Sequence, residues 1–137
     1  MPQLERVSEK LAATVLVVED EVLIRLLISD ELRDTGLTVV EAGNASEALS
    51  YLASDPSVAL VFTDVNMPGE MDGLALARQI ARDYPAVKIL VTSGHLHPTE
   101  GVQNIPLITK PYNLRDTVTR ITDAIELPGD DSIQDAR

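Results

Sequence analysis

Apolar positions along the chain follow two patterns in alternation. Thr14-Val15-Leu16-Val17-Val18 is a continuous and mostly β-branched run, as expected of a strand buried on both faces of a parallel sheet. Leu37 to Val40, Val58 to Phe62 and Val87 to Val91 repeat the pattern, and Pro106 to Thr109 is a weaker fifth. Helical periodicity lies between the runs. Residues 21–35 stop at Gly36, a residue suited to the left-handed position after a helix. Residues 45–53 follow Asn44, a good N-cap, and put Ala45, Ala48, Leu49 and Leu52 on one face. Residues 72–83 group Leu76, Ala77 and Ile80. Residues 113–126 space Leu114, Val118, Ile121 and Ile125 at i, i+4, i+7 and i+11, with Asn113 as cap and Leu127-Pro128-Gly129 as stop.

Strand and helix in alternation predict an α/β fold: a doubly wound, five-stranded parallel sheet with helices on both faces and right-handed crossovers. The exception is Gly94 to Asn104, where Pro98 and Gly101 leave room only for a short or irregular helix. Three segments are expected: an N-terminal extension (1–12), one domain (13–127) and an acidic, disordered tail (128–137). No internal repeat or second domain is expected.

Composition narrows the function. At 137 residues a chain buries roughly 70% of its unfolded surface, enough for one domain with a real core. Aromatics are 3% of residues, so aliphatic side chains must fill that core. With 11 Lys and Arg against 22 Asp and Glu, the net charge is -11. Such a surface repels phosphate backbones and anionic lipid, so no nucleic acid and no membrane is expected as partner. A metal cation or a basic protein suits it better. The absence of Cys removes disulfides, thiolate metal sites and a Cys nucleophile. No signal peptide or membrane-length apolar run is present, and the expected location is cytoplasmic.

In an open parallel sheet, ligands bind at the carboxyl ends of the strands. The first strand runs out into Glu19-Asp20-Glu21, the third into Asp64, the fourth into Thr92-Ser93-Gly94 and the fifth into Lys110-Pro111. Carboxylates, a hydroxyl and an ammonium therefore meet on one edge. Crowded carboxylates repel one another, and a divalent cation relieves that. Mg²⁺ takes octahedral oxygen ligands: Asp20, Asp64 and the Asn66 backbone carbonyl directly, and Glu19 through water. A carboxylate left facing substrate can attack phosphorus to give an aspartyl phosphate. Lys110 and a Ser93 or Thr92 hydroxyl would neutralise the transferring oxygens.

VLVVEDE, FTDVNMPGEMDG, LVTSG and ITKPY, in this order and each leaving a predicted strand, resemble the response-regulator receiver domains of two-component signalling, the CheY-like class. The resemblance spans about residues 14–127 and implies the sheet order 2-1-3-4-5. It implies that Asp64 is the phospho-acceptor, that Glu19 and Asp20 are the acidic pair holding Mg²⁺ (with Mn²⁺ as a substitute), and that Lys110 pairs with the phosphoryl group. Ser93 resembles the switch hydroxyl, or Thr92 if the register is off by one. Pro111 resembles a proline preceded by a cis peptide bond. Asn66 and His95 occupy positions where relatives tune dephosphorylation. The implied function is that of a single-domain response regulator, a switch rather than an enzyme acting on an outside substrate. A histidine kinase or histidine phosphotransfer protein would donate the phosphoryl group, and a downstream protein would read the change.

Three features depart from the family pattern: the extra residue at Gly69-Glu70, Leu107 where many relatives carry an aromatic switch residue, and the short segment before the fifth strand. They put the usual readout in question while leaving the acceptor chemistry whole. A phosphatase of the haloacid dehalogenase type would need a second Asp where Asn66 stands. A flavodoxin-like nucleotide binder would need a glycine-rich phosphate loop where Glu19-Asp20-Glu21 stands. A degenerate receiver that only binds partners would lack the acidic and lysine set. On the first helix, Ile24, Leu27, Ile28 and Leu32 make a core stripe, and Val22, Leu23 and Leu26 a second apolar one. Surplus apolar surface beside an active edge points to docking. The resemblance implies the phosphohistidine-bearing helix pair as its occupant; a homodimer contact or packing under the N-terminal extension are the alternatives.

Overall fold

The computed structural model describes residues 13–67, 69–93, 107–109 and 113–126. Five strands, β1 (Thr14–Val18), β2 (Thr38–Ala42), β3 (Leu60–Asp64), β4 (Lys88–Ser93) and β5 (Leu107–Thr109), form one sheet in the order β2-β1-β3-β4-β5. All four pairings are parallel, so the predicted topology is observed. Four helices are described: α1 (Val22–Asp34), α2 (Ala45–Ser54), α3 (Gly73–Asp83) and α4 (Leu114–Glu126).

Strand alternation divides the interior into two cores. Leu16, Val18, Val61, Ile89 and Val91 point to the face covered by α2 and α3, where they meet Ala48, Leu52, Leu76, Ala77 and Ile80. Val15, Val17, Leu60, Phe62 and Leu90 point to the other face and meet Ile28 and Leu32 of α1 with Val118 and Ile121 of α4. A period of two on strands and one stripe per helix is what a double-sided sheet requires.

The helix boundaries follow local chemistry. The Asn44, Asp72 and Asn113 side chains accept from the Glu47, Ala75 and Asp116 N–H groups at 2.8, 2.9 and 3.1 Å, each relieving an unpaired donor at a helix start. Gly36 adopts φ 98° after α1, the left-handed position that glycine fills without cost. Lys88, at the start of β4, donates to the Ala124 carbonyl at 2.5 Å and so caps the end of α4. Burial lowers the pKa of its ammonium from the usual value.

Three strands reach further than their apolar runs. β2 extends through Glu41 and Ala42, β3 through Thr63 and Asp64, and β4 through Thr92 and Ser93. Polar residues carry the backbone ladder as well as apolar ones do, so hydropathy alone stops the strand short of the residues that matter most. The stripe on α1 also differs from the expected one. Leu27 is 60% exposed, while Ile28, Ser29 and Leu32 are buried. Leu27 therefore leaves the core stripe and joins Val22, Leu23 and Leu26 on the surface. The N-terminal extension, the acidic tail and the segment 94–106 lie outside the described residues. Among the described residues, no helix is long and apolar enough to cross a membrane.

Candidate functional site

Glu19 leaves β1 and Asp64 ends β3, and β1 and β3 are neighbours in the sheet. One oxygen from each of Glu19, Asp20 and Asp64 lies within 4.8 Å of the others. Glu19 and Asp64 are buried, and Asp20 is exposed at the mouth. The expected acidic cluster is thus assembled by the strand order itself.

Backbone groups hold the two buried carboxylates. The Asn66 N–H donates to Asp64 Oδ1 at 3.2 Å, and the Glu21 N–H donates to Glu19 Oε2 at 3.0 Å. Glu19 itself is fixed by its own N–H, which donates to the Ala42 carbonyl at 3.0 Å. These donors orient the carboxylate oxygens. Three oxygen donors so close fit a hard divalent cation. Two ligands on one Mg²⁺ stand roughly 3 to 4 Å apart, so small side-chain rotations would close the set. A softer metal that wants thiolate or imidazole finds neither among the three.

The register places the two hydroxyl residues differently with respect to the acceptor. Asp64 pairs with Thr92 across β3 and β4, while Ser93 pairs with Thr109 of β5. Register partners in a parallel sheet share a face, so Thr92 is the neighbour of Asp64. Its Oγ1 is buried and has no hydrogen-bond partner among the described residues, although such groups are normally satisfied. Thr92 is thus the register partner of Asp64, and Ser93 stands one residue further on at the end of β4.

Two residues not singled out by their chemistry build the site. Gly73 opens α3, and its N–H donates to the Val65 carbonyl at 2.8 Å. A Cβ there would lie 1.8 Å from the Asp64 carbonyl oxygen and 2.8 Å from Val65 Cα. Only glycine lets α3 start so close to the acceptor. The signal was present as a glycine directly after the N-cap Asp72, where a better helix former is normal. The second is Arg25 on α1, which donates to the Glu19 carbonyl at 2.7 Å and pairs with Glu41 at 3.1 Å. Glu41 sits on β2, a strand to which the sequence pattern gives no role at this edge.

Lys110, Pro111 and His95 fall outside the described residues. Leu107 lies in β5, opposite Val91, and Asn66 is exposed beside the acceptor. A groove of about 870 Å³ between α2 and the loop after β3 is lined by Asn44, Leu49, Gly69, Glu70 and Met71, with none of the three carboxylates in it. On α1, Leu23 is 76% exposed, Val22 55% and Leu26 41%, as docking there needs.

Residues 15–122 match the family model described as response regulator receiver domain. A putative NtrX-like response regulator of Rickettsia conorii is 35% identical over 119 residues, covering 82% of this chain but 25% of the relative. The sensor kinase CckA of Brucella abortus is 34% identical over 122 residues, covering 84% of this chain and 13% of the kinase. The chain thus spans a quarter or less of these curated relatives. Among solved structures, the response regulator TrrA of Thermotoga maritima, in complex with Mg²⁺-BeF, superposes with a TM-score of 0.72 at 28% identity, covering 82% of this chain and 98% of that one.

Proposed function

Because the chain belongs to the response-regulator receiver family, we propose that Asp64 is the residue on which it accepts a phosphoryl group. The observation that carries this is the carboxylate triad, with the Asp64 side chain oriented by the Asn66 N–H. Glu19, Asp20, Asp64 and the Asn66 carbonyl would hold Mg²⁺, the ion present in the TrrA complex, with Mn²⁺ able to take its place. The ion would neutralise charge on the phosphoryl oxygens. An Asp64 oxygen attacks phosphorus, an O–P bond forms, and the donor's P–N bond breaks as its imidazole leaves. Water later hydrolyses the acyl phosphate, so the chain promotes only its own phosphorylation and dephosphorylation.

Lys110 would pair with the phosphoryl group, and Pro111 with a cis bond before it would hold the lysine's turn. The Ser93 hydroxyl, or that of Thr92, the register partner of Asp64, would turn toward the phosphoryl oxygens when they arrive. That differential contact shifts a two-state equilibrium. Asn66, His95 and Leu107 would set the lifetime and readout of the signal. The donor would be a histidine kinase or histidine phosphotransfer protein, and the chain would meet it in the cytoplasm. It docks on the exposed Val22, Leu23 and Leu26, now joined by Leu27. A downstream protein reads the switched state.

Borohydride reduction tests the acceptor directly, since it converts a phosphorylated aspartate to homoserine. Peptide mapping after treatment with acetyl phosphate should find homoserine at position 64. Homoserine at another aspartate would overturn the assignment.

A further inference from the structure

We infer that Arg25 is a positioning residue for the metal-binding carboxylates, acting through the peptide that joins Glu19 to Asp20. The inference rests on the reading of Glu19, Asp20 and Asp64 as a Mg²⁺ site. Arg25 Nη1 donates to the Glu19 carbonyl oxygen at 2.7 Å, and its Nε donates to Glu41 Oε1 at 3.1 Å. One planar guanidinium thus ties the acidic loop after β1 to the end of β2. A guanidinium keeps two such bonds in fixed relative geometry, which an ammonium does not.

The Glu19 carbonyl and the Asp20 N–H belong to one rigid peptide plane. Glu19 is already held at its N–H by Ala42 and at its carboxylate by the Glu21 N–H. Arg25 fixes the remaining group, the carbonyl, and with it the direction in which the chain enters Asp20. Asp20 is the exposed member of the triad, so its placement depends on that backbone more than on packing around its side chain.

Charge alone gives the opposite expectation. A cation near three carboxylates competes with a metal ion, so removing it should tighten Mg²⁺ binding. Here Glu41 offsets the guanidinium, and it also pairs with Arg33 at 3.1 Å. Arg33 bonds to the Val39 carbonyl and to Asp30 as well. The two arginines therefore share the Glu41 network, and of the two it is Arg25 that bonds to the acidic loop.

The test is Mg²⁺ titration by calorimetry on wild type, Arg25→Gln, Arg25→Lys and Arg33→Gln, with the amide resonance of Asp20 followed in metal-free protein. Arg25→Gln should weaken Mg²⁺ binding about tenfold or more, in the range of other outer partners of metal ligands. It should also shift the Asp20 amide before any metal is added. Arg25→Lys, which keeps the charge and loses the fork, should fall between it and wild type. Arg33→Gln should bind Mg²⁺ like wild type. Unchanged or tighter binding in Arg25→Gln would overturn the inference, as would an equal loss in Arg33→Gln. If Arg25→Gln does not fold, Arg25→Lys decides: weaker binding than wild type supports the inference, and equal binding overturns it. Failure of the wild type to bind Mg²⁺ at all would remove the metal reading and this inference together.

Discussion

Replacing Gly73 by alanine should disable the acceptor more than a methyl group added at Gly43 or Gly69. The added Cβ would stand 1.8 Å from the Asp64 carbonyl oxygen and 2.6 Å from its carbonyl carbon. A carbon rests about 3.3 Å or more from such an oxygen, so α3 or the end of β3 must move by about 1.5 Å. Both colliding atoms are backbone, and no rotamer change relieves them. Overpacking of this kind costs about 1–3 kcal/mol, occasionally more. Displacing a reacting group by about 1 Å costs on the order of 100-fold in rate. Gly73→Ala should therefore melt earlier and be phosphorylated by acetyl phosphate on the order of 100-fold more slowly. Gly43→Ala is the control, since its Cβ would meet Arg25 and Glu47 at ordinary contact distances of 3.5 and 3.6 Å. Gly69→Ala separates strain from collision: no atom lies within 4 Å of its Cβ, but φ is 103°, so it should lose about 1–2 kcal/mol of stability and little rate. A Gly73→Ala protein that melts and reacts like wild type would refute the reasoning.

Other expectations follow from the same geometry. Thr92→Val removes a buried hydroxyl that has no hydrogen-bond partner among the described residues, so thermal melting should show equal or higher stability, by about 1 kcal/mol at most; loss of the phosphorylation-dependent spectral change expected of wild type would assign the switch to Thr92, and its retention would assign it to Ser93. Charged substitution at the α1 patch, Leu26→Glu or Leu27→Glu, should slow transfer from a phosphohistidine donor while leaving acetyl phosphate labelling intact, and equal losses in both assays would contradict docking there. The Asp55 carboxyl has its pKa lowered by the Ser57 hydroxyl and then by the Tyr51 hydroxyl and the Ser57 N–H, with the two hydroxyls at 2.6 and 2.9 Å. The unfolded state then binds more protons in acid, so this group's stabilisation is complete above about pH 4 and is lost as pH falls through the lowered folded value. Urea midpoints of wild type and Asp55→Asn should therefore converge on acidification below that pH.

Much of the architecture is legible in the chain because a doubly wound sheet leaves a strong trace. Buried parallel strands read as continuous runs, and the caps at Asn44, Asp72 and Asn113 each bond as their residue types require. Legibility fails where polarity and burial part company. Asp64 and Thr92 lie inside strands, yet hydropathy ends those strands before them. Leu27 is apolar and exposed, so periodicity assigns it wrongly to the core. The choice between Ser93 and Thr92 depends on a one-residue register that hydropathy does not carry: Thr92 pairs with Asp64 and Ser93 with Thr109. Arg25 bonds to a backbone carbonyl, a partner that is set by the fold and leaves no motif, whereas Gly73 is marked by its place directly after Asp72 but its close approach to Asp64 is not.

The central claim is that Asp64 takes up one phosphoryl group with the help of a divalent cation. Intact mass after incubation with acetyl phosphate, with and without Mg²⁺, tests it on wild type and Asp64→Asn. A gain of one phosphoryl group in wild type that requires Mg²⁺ and is absent from the variant is the predicted result. No gain in wild type, or an equal gain in Asp64→Asn, would contradict it.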